Sequence, residues 1–140
     1  YDDAIQYLGR TLTMQRLIHK DQPHPDIATS LGNIGSAYLG KGQFDEFIQC
    51  LEQSLTIQKN IYKDEPHPDI ASSLGNIGSA YNRKSQYDKA IQYLEQSLII
   101  EKLIHEDQPH PDIVTTLGNI GSAYLNKGQY DEAIQYLEQT

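Results

Sequence analysis

The sequence predicts an all-α protein built of stacked antiparallel helix pairs, and three observations lead to this fold class. An eight-residue segment that starts at Leu31 returns unchanged at Leu74 and Leu117, so the chain repeats every 43 residues. A fixed period of this size is typical of stacked supersecondary units. Within each period the apolar residues follow helical spacing, and Pro or Gly residues stand where helices would begin or turn.

The first helix of each repeat is predicted over residues 25–40, 68–83 and 111–126. Pro25 suits the first helical position, where its missing N–H would be unpaired anyway. Asp26 follows in the first turn, where a carboxylate meets the positive end of the helix dipole. Gly35 stands beside the apolar stripe, and we expect it to let a neighbouring helix approach closely. The stripe consists of Ile27, Leu31, Ile34 and Tyr38.

The second helix is predicted over residues 44–63, 1–20, 87–106 and from 130 onward. Its buried face is predicted to contain Phe44, Phe47, Ile48, Leu51, Leu55 and Ile57. Phe47 stands where the other copies have alanine, so we expect the helices to be splayed there. Ser85 stands in the turn between the helices where Gly42 and Gly128 occur, and we expect it to loosen that turn.

The spacing from Leu31 through Gly35 to Tyr38, followed by Ala90 and Leu94, resembles that of the tetratricopeptide repeat. The period of 43 residues exceeds the usual ~34, and His-Pro precedes each first helix. Both features resemble the kinesin light chain subfamily. The resemblance implies a right-handed α-solenoid, the superhelix of this family, whose first helices line a concave inner side where peptides lie.

The resemblance covers the whole chain, which we interpret as a single array over residues 1–140. Residues 1–20 would be the second helix of a partial repeat, and helix pairs would occupy 25–63, 68–106 and 111–140. Since the chain begins at a second helix, we expect it to be part of a longer array. The alternative is a short complete protein.

The face of each first helix opposite the apolar stripe is the candidate peptide-binding surface. No charged residue occurs from 27 to 40, from 70 to 82 or from 113 to 126, so we expect a neutral groove and an acidic outer surface. The candidate residues are Thr29, Asn33, Ser36, Leu39, Ser72, Asn76, Ser79, Asn82, Arg83, Thr115, Asn119, Ser122, Leu125 and Asn126.

Three of these, Asn33, Asn76 and Asn119, recur at the repeat period and carry both a donor and an acceptor. The resemblance implies that they contact the main chain of an extended peptide. Alternatively, they satisfy backbone groups of the adjacent repeat. Arg83 is the one cation of this surface, which suits either an acidic ligand side chain or the negative end of its own helix dipole.

Composition limits the partners. The formal net charge of −8 argues against nucleic acid and anionic membranes, which attract clusters of Lys and Arg, and favours neutral or mildly basic peptides. No apolar run is long enough to span a membrane. Cys50 is the single cysteine, so no internal disulfide is possible. This fits a reducing compartment, and we expect a cytoplasmic protein.

Catalytic and metal chemistry are not expected. The His-Pro-Asp segments at His24, His67 and His110 recur in register at helix starts, which favours a structural motif over the similar signature of J-domain co-chaperones. None of the three has a second ligand at the spacing typical of zinc sites. We found neither a nucleophile–base pair nor a phosphate-binding loop, so the sequence predicts no enzyme and no cofactor.

Three functions remain. The favoured one is a protein-interaction scaffold that binds a linear peptide and serves as a cargo or complex adaptor. The second is a structural segment that self-associates end to end through unpaired terminal helices. The third is a regulatory sensor array joined to a catalytic domain elsewhere in a longer protein.

Overall fold

In the computed structural model, residues 1–140 form seven α-helices and no strand. They fall into two units, unit 1 over residues 1–65 and unit 2 over residues 66–140. None of the seven helices combines the length and the apolar character that crossing a bilayer requires. The helices are α1 (Asp2–Ile18), α2 (Pro25–Gly40) and α3 (Phe44–Tyr62) in unit 1, and α4 (Pro68–Arg83), α5 (Tyr87–Ile104), α6 (Pro111–Lys127) and α7 (Tyr130–Leu137) in unit 2.

The first helices α2, α4 and α6 begin in the same way. Each has Pro at its first position after an extended His, and the backbone N–H of the following Asp donates to Nδ1 of that His at 3.0–3.1 Å. The His ring therefore accepts the N-cap hydrogen bond that a Ser or Asp side chain usually accepts. Nδ1 of the His ring is the acceptor in each of these caps. The His-Pro-Asp segment is thus a capping structure.

Glycine allows the two helices of a pair to approach closely, as the sequence predicted. In unit 2, a Cβ atom on Gly78 would lie 2.7 Å from Cγ of Leu94 and 3.0 Å from the carbonyl oxygen of Ala90. In unit 1, a Cβ atom on Gly35 would lie 3.6 Å from the carbonyl oxygen of Phe47, the counterpart of Ala90. The wider spacing agrees with the expected splay, because the Phe47 ring needs room that an alanine does not.

Unit 1 also lacks an aromatic ring that unit 2 has. Tyr93 and Tyr136 stack on the tyrosines of the preceding first helices, with ring centroids 5.6 and 5.5 Å apart. The equivalent residue of α3 is the buried, free Cys50. A cavity of about 280 Å³ lies beside it, lined in part by Tyr38. α3 therefore carries its aromatic ring at position 47, one turn before position 50, where the equivalent helices carry tyrosine.

The turn at Ser85 is not loosened, contrary to the expectation. The backbone N–H of Ser85 donates to the carbonyl of Asn82 at 3.0 Å, and the glycines of the other two turns make the same bond at 2.9 and 3.0 Å. Ser85 adopts the left-handed conformation, with φ of 60°, where the glycines have 74° and 85°. The turn keeps its shape because the surrounding hydrogen bonds hold Ser85 in a conformation that suits glycine better.

Within unit 2, α5 packs against both α4 and α6. Leu94 and Leu98 of α5 form a buried cluster with Ile113, Leu117 and Ile120 of α6. Because this apolar cluster holds the two helices together, the last turns of α5 lie close to the first turns of α6. Polar side chains from these turns lie at the base of a groove between α4 and α6.

Candidate functional site

A groove of about 350 Å³ runs between α4 and α6 in unit 2, and the end of α5 closes one side of it. It brings together five of the residues that the sequence predicted for a binding surface. They are Ser72, Asn76 and Ser79 on α4 and Thr115 and Asn119 on α6. Ala71 and Gly75 also line the groove and leave room above the helix backbones.

The amides of Asn76 and Asn119 face this groove without a hydrogen-bond partner in the protein. The amide of Asn33, on the exposed face of α2 in unit 1, is likewise unpaired. Within unit 2, neither Asn76 nor Asn119 makes the hydrogen bond to backbone groups of the adjacent repeat that the alternative requires. Each amide keeps one acceptor and two donor hydrogens available to a ligand.

The other predicted residues do not line this groove. In unit 1, Thr29, Ser36 and Leu39 are exposed on α2. In unit 2, Asn126 donates to Asn82 at 3.3 Å, which joins the ends of α6 and α4. Arg83, Ser122 and Leu125 are exposed on the same two helices.

The expectation of a neutral groove is wrong in unit 2. Glu101, His105 and Asp112 line it, and no Lys or Arg does. The prediction was based on the uncharged middle of the first helices. The charged residues come from elsewhere: Glu101 and His105 lie at the end of α5, and Asp112 lies in the first turn of α6. The sequence does set Glu101 apart, because the positions one and two periods earlier hold the uncharged residues Gln58 and Gln15.

Glu101 is buried, with 8% of its surface exposed. Its Oε1 accepts a hydrogen bond from the hydroxyl of Thr116 at 2.9 Å. The hydroxyl of Ser97 lies 3.1 Å from the same oxygen, but it also lies 2.9 Å from the carbonyl of Ala71 and has only one hydrogen to share. The other oxygen, Oε2, is buried and has no partner.

The surroundings of Glu101 change its acidity. Burial raises the pKa of this carboxyl group above its usual value, and the nearby Asp112 adds to the rise. The hydrogen bonds from Thr116 and Ser97 and the nearby His105 act in the opposite direction without cancelling the rise. The groove thus contains an acid whose charged form is incompletely satisfied by the protein itself.

The structure also brings together His residues that the sequence kept apart. His105 stacks on His110 with ring centroids 3.6 Å apart, and His19 stacks on His24 at the same distance. With Asp112 and Asp26, respectively, each pair offers three metal-ligating groups within 4.8 Å of one another. Sequence reasoning missed these clusters because the second His comes from the end of the preceding helix.

The ring geometry of these clusters does not suit a metal. The two rings of each pair are within 10° of parallel, and the lone pairs of imidazole nitrogens lie in the ring planes. Two parallel planes 3.6 Å apart cannot both direct a nitrogen at one zinc ion at ~2.0–2.1 Å. In addition, Nδ1 of His110 already accepts the backbone N–H of Asp112. These clusters are best explained as helix caps with a stacked second ring.

The helix pairs and their glycine contacts define a class of protein, the helical repeat proteins. The family model of the tetratricopeptide repeat matches residues 26–100 and 69–140. The chain therefore belongs to the tetratricopeptide repeat family, as the sequence spacing predicted. None of the curated proteins compared with the chain matches it.

Solved structures support the same assignment. The chain is 27% identical to a candidate kinesin light chain from Podosopora anserina with nearly identical TPR-like repeats, with a TM-score of 0.80 over 99% of this chain and 64% of that one. BtubC (BKLC) from P. vanneervenii is 22% identical and has a TM-score of 0.86, over 99% of this chain and 54% of that one. MamA, at 22% identity and a TM-score of 0.68, is covered over 61% of its length. The chain thus spans little more than half the length of these similar structures, and it shares their helical solenoid fold.

Proposed function

We propose that this chain is a non-catalytic scaffold that binds an extended linear peptide in the groove between α4 and α6. The observation that carries the proposal is that the unpaired amides of Asn76 and Asn119 face the same groove. Each amide offers the donor and acceptor that a peptide unit of an extended main chain requires. The small side chain of Ser72 and the lack of one at Gly75 leave space for that main chain to approach.

The charge of the groove favours a basic ligand. Glu101 and Asp112 line it without a compensating Lys or Arg, and the chain as a whole carries a formal net charge of −8. Complementary charge increases the rate of encounter and selects among partners. A basic segment of another protein is therefore the proposed ligand, and a cytoplasmic cargo or complex adaptor is the proposed role.

The test is a panel of random nine-residue peptides displayed on phage and selected on the protein. Replacing both asparagines in the Asn76→Ala/Asn119→Ala variant should weaken the selected peptides about tenfold or more, because two hydrogen-bonding amides are lost. Asn60→Ala is the matched control, since Asn60 is exposed on α3 and bonds only within its own helix, to the carbonyl of Thr56.

Circular dichroism should show equal helicity for all three proteins. Peptides that bind the double variant as tightly as the unaltered protein would contradict the groove proposal. So would a selection that enriches no peptide at all.

A second candidate function, end-to-end self-association, is favoured by the exposed apolar face of α1. Tyr7, Met14, Leu17 and Ile18 are 62–75% exposed on this helix. Clusters of exposed apolar side chains of this kind mark protein contacts. Light scattering over a range of concentrations tests this candidate, and a constant monomer mass at high concentration would eliminate it.

A further inference from the structure

We infer that Glu101 is a lysine-recognition point, at which its free oxygen Oε2 binds the ammonium group of a lysine in the ligand. The inference rests on the proposed function for the identity of that ligand, a basic peptide. It assigns one side chain of the peptide to one position in the groove.

One oxygen of the Glu101 carboxyl group lacks a hydrogen-bond donor. Glu101 is more than nine-tenths buried and lines the groove, yet Oε2 has no donor within the protein. A buried charged oxygen without a partner is unfavourable, and a cation that donates a hydrogen bond to it removes that penalty. No Lys or Arg of the chain lines the groove, so the protein supplies no such cation there.

The hydrogen bonds around the carboxyl group favour lysine over arginine as its ligand. A guanidinium group binds a carboxylate best in a bidentate manner, with one N–H to each oxygen. Here the hydroxyls of Thr116 and Ser97 already occupy the space around Oε1. Oε2 is buried and is the oxygen that lacks a donor, and a single oxygen suits the compact ammonium group of lysine better than the planar fork of arginine.

A carboxyl group occurs at this position of the repeat once in the chain, since positions 15 and 58 hold glutamine. At the equivalent position of α1, Oε1 of Gln15 accepts a hydrogen bond from Ser30 at 2.6 Å, as Oε1 of Glu101 does from Thr116. The remaining atom of Gln15 is an amide nitrogen that donates, whereas Oε2 of Glu101 accepts. A single carboxylate would therefore fix the register of a basic peptide along otherwise similar repeats.

The burial that raises the pKa of Glu101 supports this assignment. A carboxyl group that is costly to ionise alone gains more from a bound cation than an exposed one does. The other ionisable groups that line the groove are His105 and Asp112, which form their own contact at 3.8 Å. Glu101 is thus the acid in the groove that has an oxygen without a hydrogen-bond donor.

The experiment uses n-butylammonium and n-butylguanidinium as probes, titrated by NMR into the unaltered protein and into Glu101→Gln. This variant should fold, because glutamine is the natural residue at positions 15 and 58. We expect the Kd of n-butylammonium to rise about tenfold or more in the variant, which corresponds to the loss of one charge-assisted hydrogen bond. We also expect n-butylguanidinium to bind the unaltered protein more weakly than n-butylammonium.

The control is Glu101→Gln/Gln15→Glu, which moves the carboxyl group to unit 1 and keeps the net charge. If this variant binds n-butylammonium in the α4–α6 groove as the unaltered protein does, or if Glu101→Gln alone binds it unchanged, the inference is overturned. The peptide selection distinguishes the two proposals. Selected peptides that need Asn76 and Asn119 but tolerate norleucine for every lysine would uphold the groove and overturn the lysine-recognition point.

The reverse result is also informative. Binding of n-butylammonium that depends on Glu101, in a protein that selects no peptide, would uphold the lysine-recognition point and contradict only the peptide-binding function.

Discussion

Units 1 and 2 contain the same junction, and a single residue gives the two junctions different chemistry. Between α1 and α2, as between α5 and α6, two His rings stack at 3.6 Å and the first ring lies 3.8 Å from an Asp. At both junctions a hydroxyl bonds to the side chain one turn before the first His, which is Gln15 in unit 1 and Glu101 in unit 2. The repeat therefore preserves its scaffold while one substitution converts a neutral amide into an incompletely paired acid.

The helix pairs of the two units differ in a second way. Unit 2 has Ala90 and Tyr93 where unit 1 has Phe47 and Cys50, so each pair of positions carries one aromatic ring and one small side chain. The exchange separates α2 from α3 and leaves the cavity beside Cys50. This comparison shows that two neighbouring positions can change together while the helix pair keeps its fold.

The largest expected effect concerns this exchange. Phe47→Ala should lower the free energy of unfolding by about 3–4 kcal/mol, because it removes a buried ring and leaves a cavity. Adding Cys50→Tyr should recover at least ~1 kcal/mol of that loss, since the new ring has the cavity beside Tyr38 to occupy. Urea denaturation of the single and double variants measures this coupling.

The matched exchange in unit 2 is Ala90→Phe with Tyr93→Cys. It should show coupling of the same sign. Strictly additive effects in both units would refute the interpretation that the two positions compensate for each other.

The next effect concerns the difference between Gln15 and Glu101. Glu101→Gln should raise the free energy of unfolding at pH 7 by about 1–3 kcal/mol, because a buried oxygen without a donor is replaced by a neutral amide. Gln15→Glu is the opposite control and should lower it. Urea denaturation at pH 7 compares the three proteins.

The pH dependence follows from the direction of the pKa shift. Burial raises the pKa of Glu101 in the folded protein, so the folded state holds this proton more tightly than the unfolded chain does. The contribution of this group to stability is therefore greatest below its ordinary pKa, and it declines as the pH rises to the raised value. Glu101→Gln should remove that decline, and an unchanged pH profile of unfolding would contradict the burial argument.

The smallest effect concerns the turns between the helices of each pair. Ser85→Gly should raise the free energy of unfolding by about 0.5–1 kcal/mol, since glycine adopts the left-handed conformation without steric strain while gaining some entropy in the unfolded chain. Gly42→Ser should produce a loss of similar size in unit 1. Thermal denaturation suffices for this comparison, and a lower melting temperature for Ser85→Gly would contradict it.

Most of the helix pattern could be predicted from the sequence because its causes are local. Apolar spacing, Pro at helix starts and Gly in turns each act within a few residues. The starts of α2 at Pro25 and α4 at Pro68 were predicted in this way and are confirmed. The candidate groove was predicted only in part, because its polar residues on α4 and α6 follow from helix periodicity, whereas Glu101 comes from a third helix.

By itself, the sequence determined the family, the repeat period, the helix pairs and the amide-bearing face, since each depends on residue spacing along the chain. Only the tertiary structure decided that Glu101 lies in the groove with a free oxygen and that His105 stacks on His110. It also decided that the Asn76 and Asn119 amides stay unpaired. The physical reason is that burial and hydrogen bonding depend on which helices pack together, and the distance between those residues in the sequence does not reveal this.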